Sequence, residues 1–151
     1  MLLAEKVLLL KSTDLFRDSP EQSLVELASV MEMRNVDAGQ SLFLKGDNGD
    51  SLFIILKGSV KVHDSEHEFA RLSENEFFGE LSLLDYEPRS ASVTAVDACS
   101  ILQLSQGPFY EAIGRNPEVL KSILRTLCHR IRIMNNKDVD LSRRLLADDG
   151  V

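Results

Sequence analysis

The chain has 151 residues, of which 44% are hydrophobic and 27% charged, proportions that are ordinary for one globular domain with its own core. Its formal net charge of −7 argues against a nucleic-acid-binding surface, because phosphate backbones are bound by clusters of Lys and Arg. No apolar run approaches the ~20 residues that span a bilayer, and Glu5 and Lys6 interrupt the N-terminal segment where a signal peptide would be apolar, so we expect a cytoplasmic protein without direct membrane insertion.

Residues 1–33 are predicted to be an N-terminal helical segment. The first helix covers about residues 2–11 and ends at a polar cluster that begins with Ser12. The second begins at Ser19, which we predict as its N-cap, with Pro20 at the first helical position. The apolar residues of this second helix keep helical spacing, and they are Leu24, Leu27, Ala28 and Met31.

Residues 34–104 have the pattern of short strands separated by turns. Val60 and Val62 lie on one side of their strand and Lys61 on the other, as in a strand with one buried face. Strands are predicted at about residues 41–44, 51–56, 59–63, 68–72, 90–96 and 99–104. Many short strands at regular spacing favour a sandwich, roll or barrel.

Helical spacing returns in residues 105–134. A short apolar stripe that begins at Phe109 is interrupted near Gly114 and Pro117. A longer helix follows, with the apolar residues Val119, Leu120, Ile123, Leu124, Leu127, Ile131 and Met134. Residues 135–151 are polar and are predicted to be a polar tail or linker. The predicted fold is therefore mainly β with flanking α-helices: a roll between N-terminal and C-terminal helices.

The segment 77–93 carries the residues with the most distinctive chemistry. Gly79 precedes a short turn of helix, where a ligand can approach backbone N–H groups that lack an intrahelical partner and favour an anion. Arg89 offers a planar fork for a phosphate, with the Ser90 hydroxyl beside it, and Glu80 can accept hydrogen bonds from sugar hydroxyls. Plainer interpretations stay open, with Arg89 as a surface charge and Glu80 as a favourable charge at a helix start.

Two motifs in this chain resemble one known family. The sequence FGEL at residues 78–81, followed nine residues after its glutamate by RSA at 89–91, resembles the phosphate-binding cassette of cyclic-nucleotide-binding domains. That family includes the bacterial catabolite activator, the regulatory subunits of cyclic-AMP-dependent protein kinase, and cyclic-nucleotide-gated channels. The glycine-punctuated residues 46–60 resemble the strand pair that precedes the cassette in that family. The likeness covers roughly residues 10–134, and it implies a β-roll whose C-terminal helices act as a hinge and lid.

The resemblance also implies a ligand and a site. The implied ligand-binding residues are Gly79, Glu80, Leu81, Arg89, Ser90 and Ala91. Arg89 would pair with the cyclic phosphate and Glu80 would bind the ribose 2′-hydroxyl. The backbone amides of residues 79, 81 and 91 would complete the pocket, with Ser90 also reaching the phosphate or the base. A hydroxyl at position 90 is compatible with both cAMP and cGMP, and we expect cAMP.

The chain departs from the family pattern in three places. Asn75 stands where the family usually has glycine, and we expect it to adopt the same left-handed backbone. The hairpin at residues 63–68 is short and lacks glycine, which leaves the base pocket near Phe69 and Arg71 undefined. Only 17 residues follow Met134, too few for the helix-turn-helix domain of the catabolite activator. We therefore expect a regulatory module and not a transcription factor.

The expected function is allosteric signal transduction by a nucleotide-binding regulatory domain that catalyses nothing and needs no metal or other cofactor. Ligand binding would move the C-terminal helices, with Phe109 at their hinge, and act on a fused or partner effector domain. The apolar stripe of the last helix would be core or a homodimer contact.

Two other hypotheses stay open. The first is a structural or interaction domain with the same fold and no ligand. The second is a cupin-type metalloenzyme at His63 and His67, whose spacing lacks a complete ligand set. Cys99 and Cys128 lack metal-type spacing and are predicted to be buried, reduced thiols.

Overall fold

The computed structural model describes residues 1–148, in which helices flank two β-sheets. Helices α1 to α4 span Leu3–Ser12, Glu21–Ser29, Gln106–Arg115 and Pro117–Asp148. Strands β1 to β8 span Glu32–Val36, Ser41–Phe43, Ser51–Lys57, Val60–Asp64, His67–Leu72, Phe77–Phe78, Ser92–Ala95 and Cys99–Ser105. A single 3-10 turn at Glu80–Leu83 lies between β6 and β7.

The strands form two four-stranded antiparallel sheets that pack face to face. One sheet has the order β1-β8-β3-β6 and the other the order β2-β7-β4-β5. Strand β8 pairs with both β1 and β3, while β7 pairs with both β2 and β4, so strands far apart in the chain are neighbours in the sheets. This topology confirms the predicted β-roll with flanking helices.

Strand β3 connects the two hydrophobic clusters of the protein. Leu52 and Ile54 face a cluster formed with the helices, while Phe53 and Ile55 face a cluster between the sheets. All four side chains are at most 3% exposed, because β3 is covered on both faces. This double burial explains why residues 52–56 are a continuous apolar run and not an alternating one.

Helix α4 extends further than the sequence pattern indicated. Residues 135–148, predicted to be a polar tail or linker, continue the helix that starts at Pro117, so the prediction was wrong for them. The apolar helical spacing ends at Met134, but residues 135–148 contain no glycine or proline that would stop the helix. The remainder of the predicted tail, residues 149–151, lies outside the described residues. Among the described residues, no helix combines the length and apolar composition that a membrane crossing requires.

Several smaller predictions can also be compared with the structure. Strand β1 starts at Glu32, two positions before the predicted boundary, and the pattern missed it because only Val36 in it is buried. The predicted N-cap at Ser19 was wrong: Pro20, with extended backbone, occupies the N-cap position and makes no side-chain cap. Asn75 adopts φ 69°, which confirms the left-handed turn expected in place of glycine.

Candidate functional site

The glycine-rich loop at residues 46–50 lies directly against the start of the arginine segment. The Gly46 N–H donates to the Arg89 carbonyl at 2.8 Å, and the Arg89 N–H donates to the Asp47 carbonyl at 2.7 Å. A further bridge pairs Asn48 with Pro88. The two motifs identified in the sequence are therefore walls of one site, although Gly46 and Arg89 are 43 positions apart in the chain.

Gly79 begins the 3-10 turn, and its position excludes any side chain. Its φ of 76° is left-handed, and a Cβ there would lie 2.8 Å from both Arg89 Nη1 and the Ser51 carbonyl oxygen. The first hydrogen bond of the turn is donated by the Ser82 N–H to the Gly79 carbonyl at 3.0 Å. The N–H groups of residues 79–81 come before this bond, so the turn itself provides no acceptor for them.

The Arg89 side chain points into the protein and not into solvent. Its Nη1 donates to Ser82 Oγ at 2.7 Å and its Nη2 to the Ser51 carbonyl at 3.1 Å. The guanidinium carbon lies 4.1 Å from the centre of the Phe43 ring. Three neighbouring elements thus fix the guanidinium, as a phosphate-binding role requires.

The charge of Arg89 is not neutralised by a direct ion pair. Among the side chains that the structure describes, no carboxylate lies within 4 Å of its guanidinium nitrogens. Burial lowers the pKa of Arg89 from its ordinary value, and the more distant charges of Asp50 and Asp47 partly oppose that effect. Arg89 Nε is buried and has no hydrogen-bond partner among the described residues. An unpaired buried donor is costly, so the described residues leave both the charge and one donor of Arg89 without a direct partner.

Gly49 provides the space that the guanidinium occupies. It is buried, and a Cβ at this position would lie 2.5 Å from Arg89 Nε and 2.7 Å from Ser82 Oγ. In the sequence it is one of the glycines that punctuate residues 46–60. Its role in the structure is to leave room for Arg89, and no local sequence signal distinguishes it from the neighbouring turn glycines.

Glu80 lies at the junction between the 3-10 turn and helix α4. Its Oε1 accepts a hydrogen bond from Arg130 Nη1 at 3.4 Å. Arg130 is held more tightly by Asp14, whose carboxylate accepts bonds of 2.6, 2.7 and 3.1 Å. These Asp14 hydrogen bonds raise the pKa of Arg130, outweighing the opposing effect of burial, and the Glu80 charge adds to the rise. The sequence analysis missed Asp14 and Arg130, because no spacing pattern links residues so far from each other and from Glu80.

The remaining predicted site residues surround Arg89. A cavity of about 160 Å³ is lined by four of the six predicted residues together with Phe43, Val62, Phe78 and Val93; those four are Gly79, Arg89, Ser90 and Ala91. Leu81 lines a second cavity of about 260 Å³ on the other side of Arg89. Glu80 lines neither cavity and is directed to Arg130. The structure therefore brings five of the six residues to the cavities beside Arg89, whereas Glu80 contacts Arg130 and lines neither cavity.

The region suggested for the base has a different arrangement. Phe69 is 55% exposed, and its ring packs edge-on against His67 at 4.8 Å. Arg71 forms an exposed ion pair with Glu68 at 3.0 Å. Neither Phe69 nor Arg71, both on β5, lines the cavities beside Arg89. Val62, on the neighbouring strand β4, lines the smaller of the two.

The histidines and cysteines are placed away from the site. His63 bonds to the Ser65 carbonyl at 2.8 Å and to the Thr94 hydroxyl at 2.7 Å. In the part of the chain that the structure describes, no three His, Cys, Asp or Glu side chains are grouped to hold a metal. Cys99 is buried, and that burial raises the pKa of its thiol. Cys128 is exposed, so its predicted burial was wrong; its position on α4 faces solvent and not the core.

Comparisons with known proteins agree with this geometry. A family model described as "Cyclic nucleotide-binding domain" matches residues 33–116, more than half of the chain. A cyclic nucleotide-gated potassium channel of Rhizobium etli is 33% identical over 122 residues, which cover 81% of this chain and 34% of the channel. The cyclic AMP receptor protein of Thermus thermophilus is 33% identical over 145 residues, which cover 91% of this chain and 64% of that protein. The chain thus spans only part of the length of these relatives.

A solved structure has the same fold over most of its length. It is the N-terminal domain of a transcriptional regulator from Streptomyces coelicolor, which is 31% identical and superposes with a TM-score of 0.80. The match covers 85% of this chain and 93% of that domain. The family match includes both motifs that form the walls of the site around Arg89. The chain belongs to the cyclic nucleotide-binding domain family.

Proposed function

We propose that this chain is a non-catalytic regulatory module that binds a cyclic nucleotide, cAMP in preference to cGMP, in the cavities beside Arg89. The observation that carries this proposal is the Arg89 guanidinium, which is fixed inside the fold and has no ion pair among the described residues. Arg89 is a half-buried cation without a direct ion pair, and it lies next to the 3-10 turn that begins at Gly79. Such a cation is suited to the single negative charge of a cyclic phosphate. Relatives whose names refer to cyclic AMP, such as the Thermus protein, support the choice of cAMP.

The proposed contacts divide between the phosphate and the ribose. The guanidinium of Arg89, together with the amides of residues 79–81 and 91, would bind the phosphate oxygens. Glu80 would accept a hydrogen bond from the ribose 2′-hydroxyl. Its Oε1 accepts a hydrogen bond from Arg130, and no side chain that the structure describes donates to its Oε2, which leaves that oxygen for the ligand. Ser90, which is exposed at the mouth of the site, would reach the phosphate or the base.

The signal would leave the site through helices α3 and α4. Gln106, at the start of α3, donates to the carbonyls of Ser82 and Leu83, both at 3.4 Å. Arg130 connects α4 to Glu80 in the same way. A ligand that alters the 3-10 turn would therefore alter contacts that hold both helices, which is the differential interaction that allosteric coupling requires. The output would act on a fused or partner effector domain in the cytoplasm, and a homodimer through α4 belongs to the same proposal.

Isothermal titration calorimetry with cAMP, cGMP and 5′-AMP tests the proposal. We expect the wild-type protein to bind cAMP more tightly than cGMP, and 5′-AMP more weakly than both. Arg89→Ala should weaken cAMP binding by at least about tenfold, since a hydrogen bond to a charged group contributes ~1.5–3 kcal/mol. Arg125→Ala is the matched control, because it removes an exposed arginine of α4 and the same unit of charge.

Two outcomes would contradict the proposal. If no cyclic nucleotide binds the wild-type protein, the alternative of a ligand-free interaction domain is favoured. If Arg89→Ala and Arg125→Ala have equal effects, the site is not at Arg89. A thermal-shift measurement provides an independent check, because ligand at a hundred times its dissociation constant stabilises the native state by ~2.7 kcal/mol.

A further inference from the structure

We propose that Phe43 is a positioning residue for the phosphate site: its ring holds the Arg89 guanidinium in the binding orientation without neutralising its charge. The inference rests on the proposed function, and it adds a residue that neither motif of the sequence contains. Phe43 is the last residue of β2, and it pairs with Val93 in β7, the strand that follows Arg89 in the chain.

The ring of Phe43 is the closest aromatic face to the guanidinium. The Arg89 Cζ lies 4.1 Å from the centroid of Phe43 and 5.8 Å from that of Phe53. Phe43 is itself fixed, since its centroid lies 6.0 Å from Phe53 and 6.1 Å from Phe78. The rings of Phe53 and Phe78 are in turn stacked at 5.2 Å, between the sheets. The guanidinium therefore lies on a rigid aromatic surface.

An aromatic ring solves a problem that a carboxylate would not. A carboxylate would orient Arg89, but it would also occupy its N–H edge and cancel the charge that an anionic ligand needs. A ring face attracts the cation through its quadrupole and leaves every N–H free in the guanidinium plane. The contacts that Arg89 makes within the described residues follow this principle: a hydroxyl, a backbone carbonyl and a ring are all neutral.

The geometry predicts a specific loss when the ring is replaced by an aliphatic side chain. Phe43→Leu keeps an apolar side chain on β2 and removes only the π face. We expect it to weaken cAMP binding by about three- to thirtyfold, the range of a partly desolvated cation–π contact. Phe43→Tyr retains the face and should bind within about twofold of wild type. Phe43→Met fills the space with a flexible side chain and serves as a second aliphatic variant if the leucine variant does not fold.

A control variant and a double-mutant cycle separate positioning from general packing. Phe77→Leu is the control, because that ring lies on the same edge of the roll but packs against the helical cluster. The cycle combines Phe43→Leu with Arg89→Gln, and cAMP affinity is measured by calorimetry or, for weak binding, by ligand-observed NMR. If Phe43 acts through Arg89, its replacement should change affinity by less than twofold once the guanidinium is gone.

The outcomes distinguish this inference from the proposed function. Binding by the wild type that Arg89→Gln weakens, with a Phe43→Leu loss that disappears in the double variant, supports both. A Phe43→Leu affinity equal to wild type, or a loss that persists unchanged in the Arg89→Gln background, overturns the positioning role and leaves the proposed function standing. A wild-type protein that binds no cyclic nucleotide overturns both. Thermal unfolding of each variant confirms that affinities are compared between folded proteins.

Discussion

Replacing Gly49 with alanine should damage the phosphate site while sparing the fold. The added methyl carbon would lie 2.5 Å from Arg89 Nε and 2.7 Å from Ser82 Oγ. It would therefore enter the space between two groups that are joined by a 2.7 Å hydrogen bond from Arg89 Nη1. Gly49 does not have a left-handed φ, so alanine meets no backbone strain at this position.

The size of the effect follows from these distances. Restoring ordinary contact requires the guanidinium to move by about 0.9 Å, which would stretch its bond to Ser82 to about 3.6 Å, beyond hydrogen-bonding distance. A guanidinium displaced in this way would also lose a charge-assisted hydrogen bond to the phosphate, and ~1.5–3 kcal/mol for such a bond corresponds to roughly ten- to hundredfold weaker binding. The lost bond to Ser82 should lower stability, while alanine lowers the entropy of the unfolded chain by an amount worth about 0.4–1 kcal/mol, so the free energy of unfolding should fall by roughly 0.5–2.6 kcal/mol.

Calorimetric titration with cAMP and thermal unfolding of the same samples measure the two effects separately. Gly114→Ala is the matched control, since that glycine lies in α3 with nothing within 4 Å of a would-be Cβ. It should bind cAMP as the wild type does and be more stable by about 0.5–1 kcal/mol. Wild-type affinity in Gly49→Ala, measured beside a weakened Arg89→Ala, would refute the reasoning that the guanidinium must occupy this space.

Three further predictions concern the contacts around α4 and the thiols. Arg130→Gln should weaken cAMP binding by up to about fivefold, because it removes a part-exposed ion pair that orients Glu80. The affinity for 2′-deoxy-cAMP, which lacks the hydroxyl that Glu80 would bind, should not change. Equal losses of affinity for the two ligands in calorimetry would contradict this assignment. A thiol reagent should modify Cys128 rapidly in the native protein and Cys99 only on unfolding, and Cys128→Ser should abolish the rapid phase. The fold raises the pKa of Cys99, so folding favours its neutral thiol. The free energy of unfolding should therefore fall as the pH rises past about 8.5, where the thiol of the unfolded chain ionises. Urea titrations at pH 7.5 and 9.5 measure this fall, which should be absent in a Cys99→Ala variant.

The roll and most of the candidate site could be predicted from the sequence because both depend on local patterns. Gly79, Glu80 and Arg89 could be proposed as site residues because a glycine, an acid and an arginine at fixed spacing are all supplied by one continuous segment. The alternation in residues 59–63 likewise reports directly which side chains face the interior. Patterns of this kind depend on neighbouring residues alone, so the fold class and the family follow from the sequence.

Other features depend on contacts that no local pattern encodes. Phe43 has the appearance of an ordinary strand residue, and its relation to Arg89 exists only because β2 and β7 pair. Arg130 reaches Asp14 across the packing of α4 on the N-terminal segment, a separation of 116 residues. The end of α4 escapes prediction for a related reason. Apolar spacing marks a helix only where it packs against the core, whereas a helix that leaves the core continues until glycine or proline stops it.

The length of α4 has a mechanical consequence. Its 32 residues make one continuous rod, about 48 Å long at 1.5 Å per residue. The tie from Arg130 to the 3-10 turn is attached near the middle of that rod, with about 27 Å of helix beyond it. A tilt of about 10° at the tie would therefore swing the distant end through about 5 Å, comparable to one helical turn. If the proposed ligand displaces the 3-10 turn, the helix would act as a lever that enlarges this displacement at its distant end.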